Sequence, residues 1–144
     1  MKKILVPCDF SIQAIEAFRF AVEIANQSHG EIILLNSLEL PVMYGTTLMP
    51  TLYFEEQVLK DMKSSAEKQF KKMQTKWAKG NLKVSFFVEF GPVTPTIVRF
   101  AEEKKADLIV IGTKGATGLK DYFVGSNTEK VVRMAAVPVI AVKK

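Results

Sequence analysis

The sequence contains a single cysteine, Cys8, and a single histidine, His29, in 144 residues. One thiol cannot form an internal disulfide, and one thiol with one imidazole cannot furnish the donor set of a zinc site. No stretch of about 18 apolar residues occurs, so no membrane-spanning helix is expected. The opening Met-Lys-Lys-Ile-Leu-Val-Pro-Cys-Asp has an apolar run too short for a signal peptide. It reads as a first strand, and a cytoplasmic protein is expected. The Walker pattern Gly-x4-Gly-Lys-Ser/Thr is missing, which argues against P-loop chemistry. Net charge is +5, but the lysines are dispersed, and the densest stretch, Lys60 to Lys79, falls on a predicted amphipathic helix. That pattern is read as a solvated face, and a nucleic-acid partner is not expected.

What is present is one domain of ordinary globular composition, 48% hydrophobic and 24% charged. Short apolar runs alternate with helical stripes along the whole of 1–144, with no repeat and no linker. Residues 2–7 read as a strand covered on both faces. Ser11 or Asp9 can cap a helix whose stripe is Ala14, Ile15, Phe18, Ala21, Val22 and Ala25. His29-Gly30 ends that helix, with Gly30 suited to a left-handed position and His29 a helix-end residue without catalytic role. A second strand, Ile32 to Leu35, extends through Asn36-Ser37-Leu38. Residues 39–54 read as a long irregular segment rich in Met and Tyr, either a satellite core or a cover over a pocket or partner surface. A helix from Phe54 to Ala78 buries Val58, Met62, Ala66, Phe70, Met73 and Trp77. Lys83 to Phe90 is a third strand. Thr94-Pro95 starts the next helix, with Thr94 as cap. Leu108 to Ile111 is strand four, Ser126-x-x-Glu129 is a capping box, and Val137 to Val142 is strand five. This alternation predicts an α/β fold, a doubly wound parallel sheet with helices on both faces.

The most informative stretch runs from Asp107 to Thr128. A buried strand enters Gly112, passes Gly115 and Gly118, and reaches Gly125-Ser126-Asn127-Thr128 at a helix start. Backbone N–H groups and the helix dipole can hold an anion there. In a doubly wound sheet the ligand lies at the carboxyl ends of the strands, which brings Pro7-Cys8-Asp9 to the same edge. Asp9 would repel a phosphate; it suits a ribose hydroxyl or a base amine. The residues thus read as a nucleotide site with separate base and phosphate ends.

The pattern Gly112-x2-Gly115-x9-Gly125-Ser126, together with Lys-Ile-Leu-Val-Pro-Cys-Asp-Phe-Ser at the start and Val-Pro-Val-Ile-Ala-Val at the end, resembles the universal stress protein family and its ATP-binding subclass. The resemblance covers the chain, with 39–80 the neutral part. It implies a five-stranded parallel sheet ordered 3-2-1-4-5 and ATP as ligand, with Mg²⁺ as a companion ion. Pro7, Cys8, Asp9 and Ser37 would surround adenine and ribose. Ile111, Gly112, Gly115, Gly125, Ser126, Asn127 and Thr128 would form the phosphate end. It also implies a homodimer through Val137 to Val142. Two features depart from the family pattern: a cysteine at position 8, expected to be oxidisable beside a nucleotide, and Ala116-Thr117-Gly118-Leu119-Lys120, where Lys114 and Lys120 would have to supply the usual basic charge.

Three functional readings follow. The first is an ATP-binding regulatory module of the stress response. The second is a slow ATPase or autophosphorylating protein, with Asp9 or Asp121 on Mg²⁺ and Ser126 or Thr128 as acceptor. The third is a nucleotide-independent interaction protein working through residues 42–54. No general base is identifiable, so no catalytic residue is assigned.

Overall fold

The computed structural model of the chain describes residues 2–39, 50–113 and 125–143, with side chains in 50–55 left aside. In chain order the elements are β1 (Lys3–Pro7), α1 (Ile12–Ser28), β2 (Glu31–Leu38), α2 (Pro50–Trp77), β3 (Val84–Phe90), α3 (Val93–Glu103), β4 (Leu108–Gly112), α4 (Ser126–Met134) and β5 (Val139–Val142). The strands form one five-stranded sheet ordered β3-β2-β1-β4-β5, and every pairing is parallel. Strand order reverses direction between β1 and β4, so the carboxyl ends of these two strands flank the switch point.

Continuous apolar runs make the sheet because both faces are covered. On one face Ile4, Val6, Cys8, Ile32, Leu34, Leu108 and Val110 pack under α1 and the Ala66, Phe70 and Met73 stripe of α2. On the other, Leu5, Ile33, Leu35, Ile109 and Ile111 meet Ile97, Phe100 and Ala101 of α3 and Val131 of α4. The alternation of successive side chains between these two clusters follows from the pleat. Helix α1 presents Ala14, Ala17, Ala21 and Ala25 beside Phe18 and Val22. Four alanines on the buried face let its backbone lie close to the sheet.

Several boundaries differ from the sequence reading, each for a local reason. Helix α2 begins at Pro50, inside the stretch read as irregular; proline fits a first helical position because it has no N–H to leave unpaired. Val58 is 44% exposed and does not join the core. The residue in left-handed conformation after α1 is His29 (φ 54°), not Gly30. Gly30 is there for space: a Cβ would stand 2.5 Å from the Lys2 carbonyl oxygen. Helix α3 starts two residues before Pro95, at Val93, with Pro92 as cap residue, so Thr94 lies in the first turn and does not cap it. The capping box of α4 does not form. Gly125 is the cap residue, its carbonyl accepting from Glu129 N at 3.0 Å. The Glu129 carboxylate turns to Arg133 at 2.6 Å. Strand β5 begins at Val139, after Pro138, whose carbonyl accepts from Ile109 N. Among the described residues no helix is long and apolar enough to cross a membrane.

Candidate functional site

The Pro7-Cys8-Asp9 segment leaves the sheet at the carboxyl end of β1. Cys8 N still donates to Leu35 O at 2.8 Å, so the register with β2 holds past the strand end. The Cys8 carbonyl accepts from Asn36 Nδ2 at 2.8 Å. Asn36 is buried, a polar residue breaking the apolar run of β2, and it ties the two strand ends together. Asp9 then sits at an exposed turn, its Oδ1 accepting from Ser11 N at 2.9 Å, while Ser11 Oγ accepts from Ala14 N at 3.2 Å and caps α1. Phe10 between them is held at φ 65°, a conformation that bulky side chains rarely adopt. Its ring is anchored on Phe70 at 4.9 Å, which offsets that strain and fixes the direction of Asp9.

The Cys8 side chain points the other way, into the core. Its sulfur lies 3.9 Å from the Met73 sulfur. Burial pushes the thiol up to about 12, opposed by a backbone hydrogen bond at Phe10 and aided by the neighbouring Asp9 charge. A buried, protonated thiol is a poor nucleophile. The expectation of an oxidisable cysteine facing a ligand is therefore corrected: at position 8 the thiol packs in the core, and both backbone groups are hydrogen-bonded to β2.

The residues expected at a phosphate end lie where β4 gives way to α4. Gly112 does not have a left-handed backbone. A Cβ there would stand 2.9 Å from the Gln13 carbonyl carbon and oxygen, so the glycine admits the first turn of α1. Ile111 is buried in the α3–α4 core and contributes backbone only. Thr113 N donates to Val142 O, and the Thr113 carbonyl accepts from Gly125 N. Thr128 is 4% exposed, and its hydroxyl donates to the Gly112 carbonyl at 2.7 Å. Ser126 and Asn127 are exposed on the first turn of α4, a helix start whose cap residue has no side chain. Thr94 Oγ1 lies 3.4 Å from Asn127 Oδ1, linking the starts of α3 and α4. Both helix N-termini thus stand at the carboxyl edge, where their dipoles favour negative charge. Gly115, Gly118, Lys114, Lys120 and Asp121 lie outside the described residues, as does 40–49.

A groove of about 440 Å³ opens beside Asp9, between the ends of β1 and β2 and helix α2. Asp9, Asn36 and Ser37 form its sheet wall, and Ser37 Oγ reaches Gly91 O at 3.4 Å. Asp61, Ser65 and Gln69 form its helix wall, with Phe10, Leu38, Met62 and Ala66 as apolar surface. Of these lining residues, Asp9 and Ser37 were named from sequence. Phe10, Asn36 and the α2 wall were not, although two signals existed: the polar break at Asn36, and polar residues at i, i+4 and i+8 along one stripe of α2. Among the described residues no three His, Cys, Asp or Glu side chains converge as metal ligands.

This geometry can be set beside known proteins. The family model described as "Universal stress protein family" matches residues 1–143. Universal stress protein MJ0531 of Methanocaldococcus jannaschii is 36% identical over 143 residues, 99% of this chain and 82% of that protein. The solved structure of MJ0577, a universal stress protein of the same organism, is 28% identical with a TM-score of 0.86, covering 99% of this chain and 96% of that one. A universal stress protein of Archaeoglobus fulgidus solved in complex with dAMP is 25% identical with a TM-score of 0.63, covering 99% and 98%. With the expected strand order in place, and a family match running from end to end, the chain belongs to the universal stress protein family.

Proposed function

We propose that this protein binds an adenine nucleotide, ATP first among them, and acts as a nucleotide-dependent module of the stress response. The observation that carries the reading is the convergence, at one edge of the sheet, of an acidic groove beside Asp9 and the uncapped start of α4. The groove suits ribose and base. The Ser126, Asn127 and Thr128 N–H groups, with Gly125 before them, suit phosphate oxygens. Pro7, Cys8, Ile111 and Gly112 contribute backbone to the same edge, and Gly115 would complete the phosphate end. The dAMP bound by the Archaeoglobus relative supports an adenine ligand. Asp9 is the nearest carboxylate on β1's side, so a Mg²⁺ ion would ride mainly on the nucleotide's own phosphates, as this ion often does. The protein is proposed to work in the cytoplasm as a homodimer through Val137 to Val142. Strand β5 is an edge of the sheet, and Val132 and Met134 on the neighbouring α4 are 51% and 55% exposed.

The test is a thermal shift with ATP. Ligand at about 100 times its dissociation constant adds about 2.7 kcal/mol, which for a chain of this size raises Tm by roughly 8 °C. Asp9→Asn keeps the Oδ1 acceptor for Ser11 and removes only the charge. It should weaken ATP binding about tenfold without lowering the ligand-free Tm by more than about 2 °C. An unshifted wild-type Tm, together with no adenine nucleotide released from the purified protein, overturns the reading. Phosphate release well above a mutant blank would instead favour slow hydrolysis.

A further inference from the structure

The groove beside Asp9 has a second wall, and its chemistry bears on which base the site accepts. Asp61, Ser65 and Gln69 stand at i, i+4 and i+8 on α2, so one helical stripe presents all three. Of the ten lining residues, the charged ones are both carboxylates, Asp9 and Asp61, although the chain carries net charge +5. A phosphate would be repelled from both. A neutral group rich in hydrogen-bond donors is favoured. Asp61 Oδ1 accepts from Gln57 Nε2 at 3.0 Å, one turn back, which sets the direction of the carboxylate. Met62 and Ala66 on the same stretch of α2, with Phe10 and Leu38 opposite, provide apolar surface for the flat face of a ring.

We propose that Asp61 determines base specificity, accepting a hydrogen bond from the exocyclic amine of a 6-aminopurine while Asp9 serves the ribose; this rests on the nucleotide reading above. The chemistry discriminates through a single group. Adenine offers an N–H donor at position 6, where hypoxanthine offers a carbonyl oxygen. That oxygen would face the Asp61 carboxylate, two acceptors with no proton between them. An unpaired polar pair of this kind is what lets a hydrogen-bonding site reject a close analogue.

The experiment is calorimetric titration of the full chain with ATP, ITP and adenosine, for wild type and Asp61→Asn. Asp61 is exposed on a helix surface, so the variant folds, and an unchanged Tm confirms it. The wild type should bind ATP about tenfold or more tighter than ITP. Asparagine can donate as well as accept, so Asp61→Asn should bring the two ligands within about threefold of each other. Any change in ATP affinity should be matched by adenosine, because the altered contact is to the base and not to the phosphates. A variant that binds ATP and keeps the wild-type ATP/ITP ratio overturns the role of Asp61 and leaves the nucleotide reading standing. A wild type that binds none of the three ligands overturns both.

Discussion

Gly112→Ala separates two explanations of the same glycine. By sequence it belongs to a loop that lets a ligand approach the backbone. By geometry it is a packing residue. A methyl group there would lie 2.9 Å from Gln13 C, 2.9 Å from Gln13 O and 3.0 Å from Gln13 Cβ, so α1 or β4 must yield by about half an ångström to reach ordinary contact. Helix α1 cannot slide cheaply, because Ala14, Ala17, Phe18, Ala21, Val22 and Ala25 are all buried against the sheet. Overpacking a well-filled interior costs roughly 1–3 kcal/mol. Since Gly112 has no left-handed φ, alanine also returns about 0.4–1 kcal/mol by restricting the unfolded chain. The net loss is about 0–2.6 kcal/mol, a fall in Tm of up to about 8 °C.

The ligand-free Tm and urea midpoint measure this directly, and a second substitution sharpens it. Two of the three clashing atoms are backbone, so shortening the Gln13 side chain should not rescue Gly112→Ala. ATP affinity should fall as well, because the Gly112 carbonyl holds Thr128 at the start of α4. The reasoning is refuted if ligand-free stability is unchanged within about 1 °C while ATP affinity drops tenfold or more. That result would make Gly112 a ligand-approach glycine after all. Gln13→Ala leaves Gln13 C, O and Cβ in place, so rescue by it would refute the assignment of the clash to those three atoms.

Three further outcomes are expected. Thr128→Val, which keeps the shape and removes the hydroxyl buried against Gly112 O, should cost about 1–3 kcal/mol in urea unfolding, with Thr128→Ser recovering most of it; lost ATP affinity at unchanged stability would contradict a structural hydroxyl. Cys8 should resist iodoacetamide in the folded protein. Its thiol, raised from 9.0 to about 12, keeps its proton when folded and loses it when unfolded. Stability therefore falls as pH rises through that window, by up to about 1.4 kcal/mol per pH unit, and Cys8→Ala should flatten the slope of urea midpoint against pH; equal slopes would refute this. For the proposed dimer, Pro138 and Val142 turn their carbonyls to β4, so the alternate residue Ala141 turns its N–H outward. Ala141→Pro should give a monomer by light scattering with little change in Tm, whereas a persisting dimer places the interface elsewhere.

The architecture was legible because β1, β4 and β5 are short apolar runs, β2 and β3 are apolar runs broken by few polar residues, and each helix carries a stripe, and nothing in the tertiary structure overrode either period. Strand order rested on the family resemblance, since alternation alone does not choose between doubly wound sheets. Helix starts were misread where a good cap residue stood next to a better backbone. Ser126 and Glu129 have the spacing of a capping box, yet Gly125 takes the cap position because its N–H is already drawn to Thr113 O. Thr94 beside Pro95 invites the same error, but Pro92 fixes the turn first and frees the Thr94 hydroxyl for Asn127.

The site shows a deeper limit. Sequence reading assigned glycines and Cys8 to the ligand because they stand in the loop segments of a known pattern. The structure gives Gly112 to α1 and the thiol to Met73. What remains for the proposed nucleotide is mostly backbone N–H at α4 and the side chains of Asp9 and the α2 wall. At Gly112 the close approach of α1 accounts for a glycine at the end of β4 without any ligand. The α2 wall escaped notice for the opposite reason. Asp61, Ser65 and Gln69 look like any solvated helix face until β2 is seen ending beneath them. The proposed phosphate end is written in local pattern, and the proposed base end is written in which helix passes over the edge of the sheet.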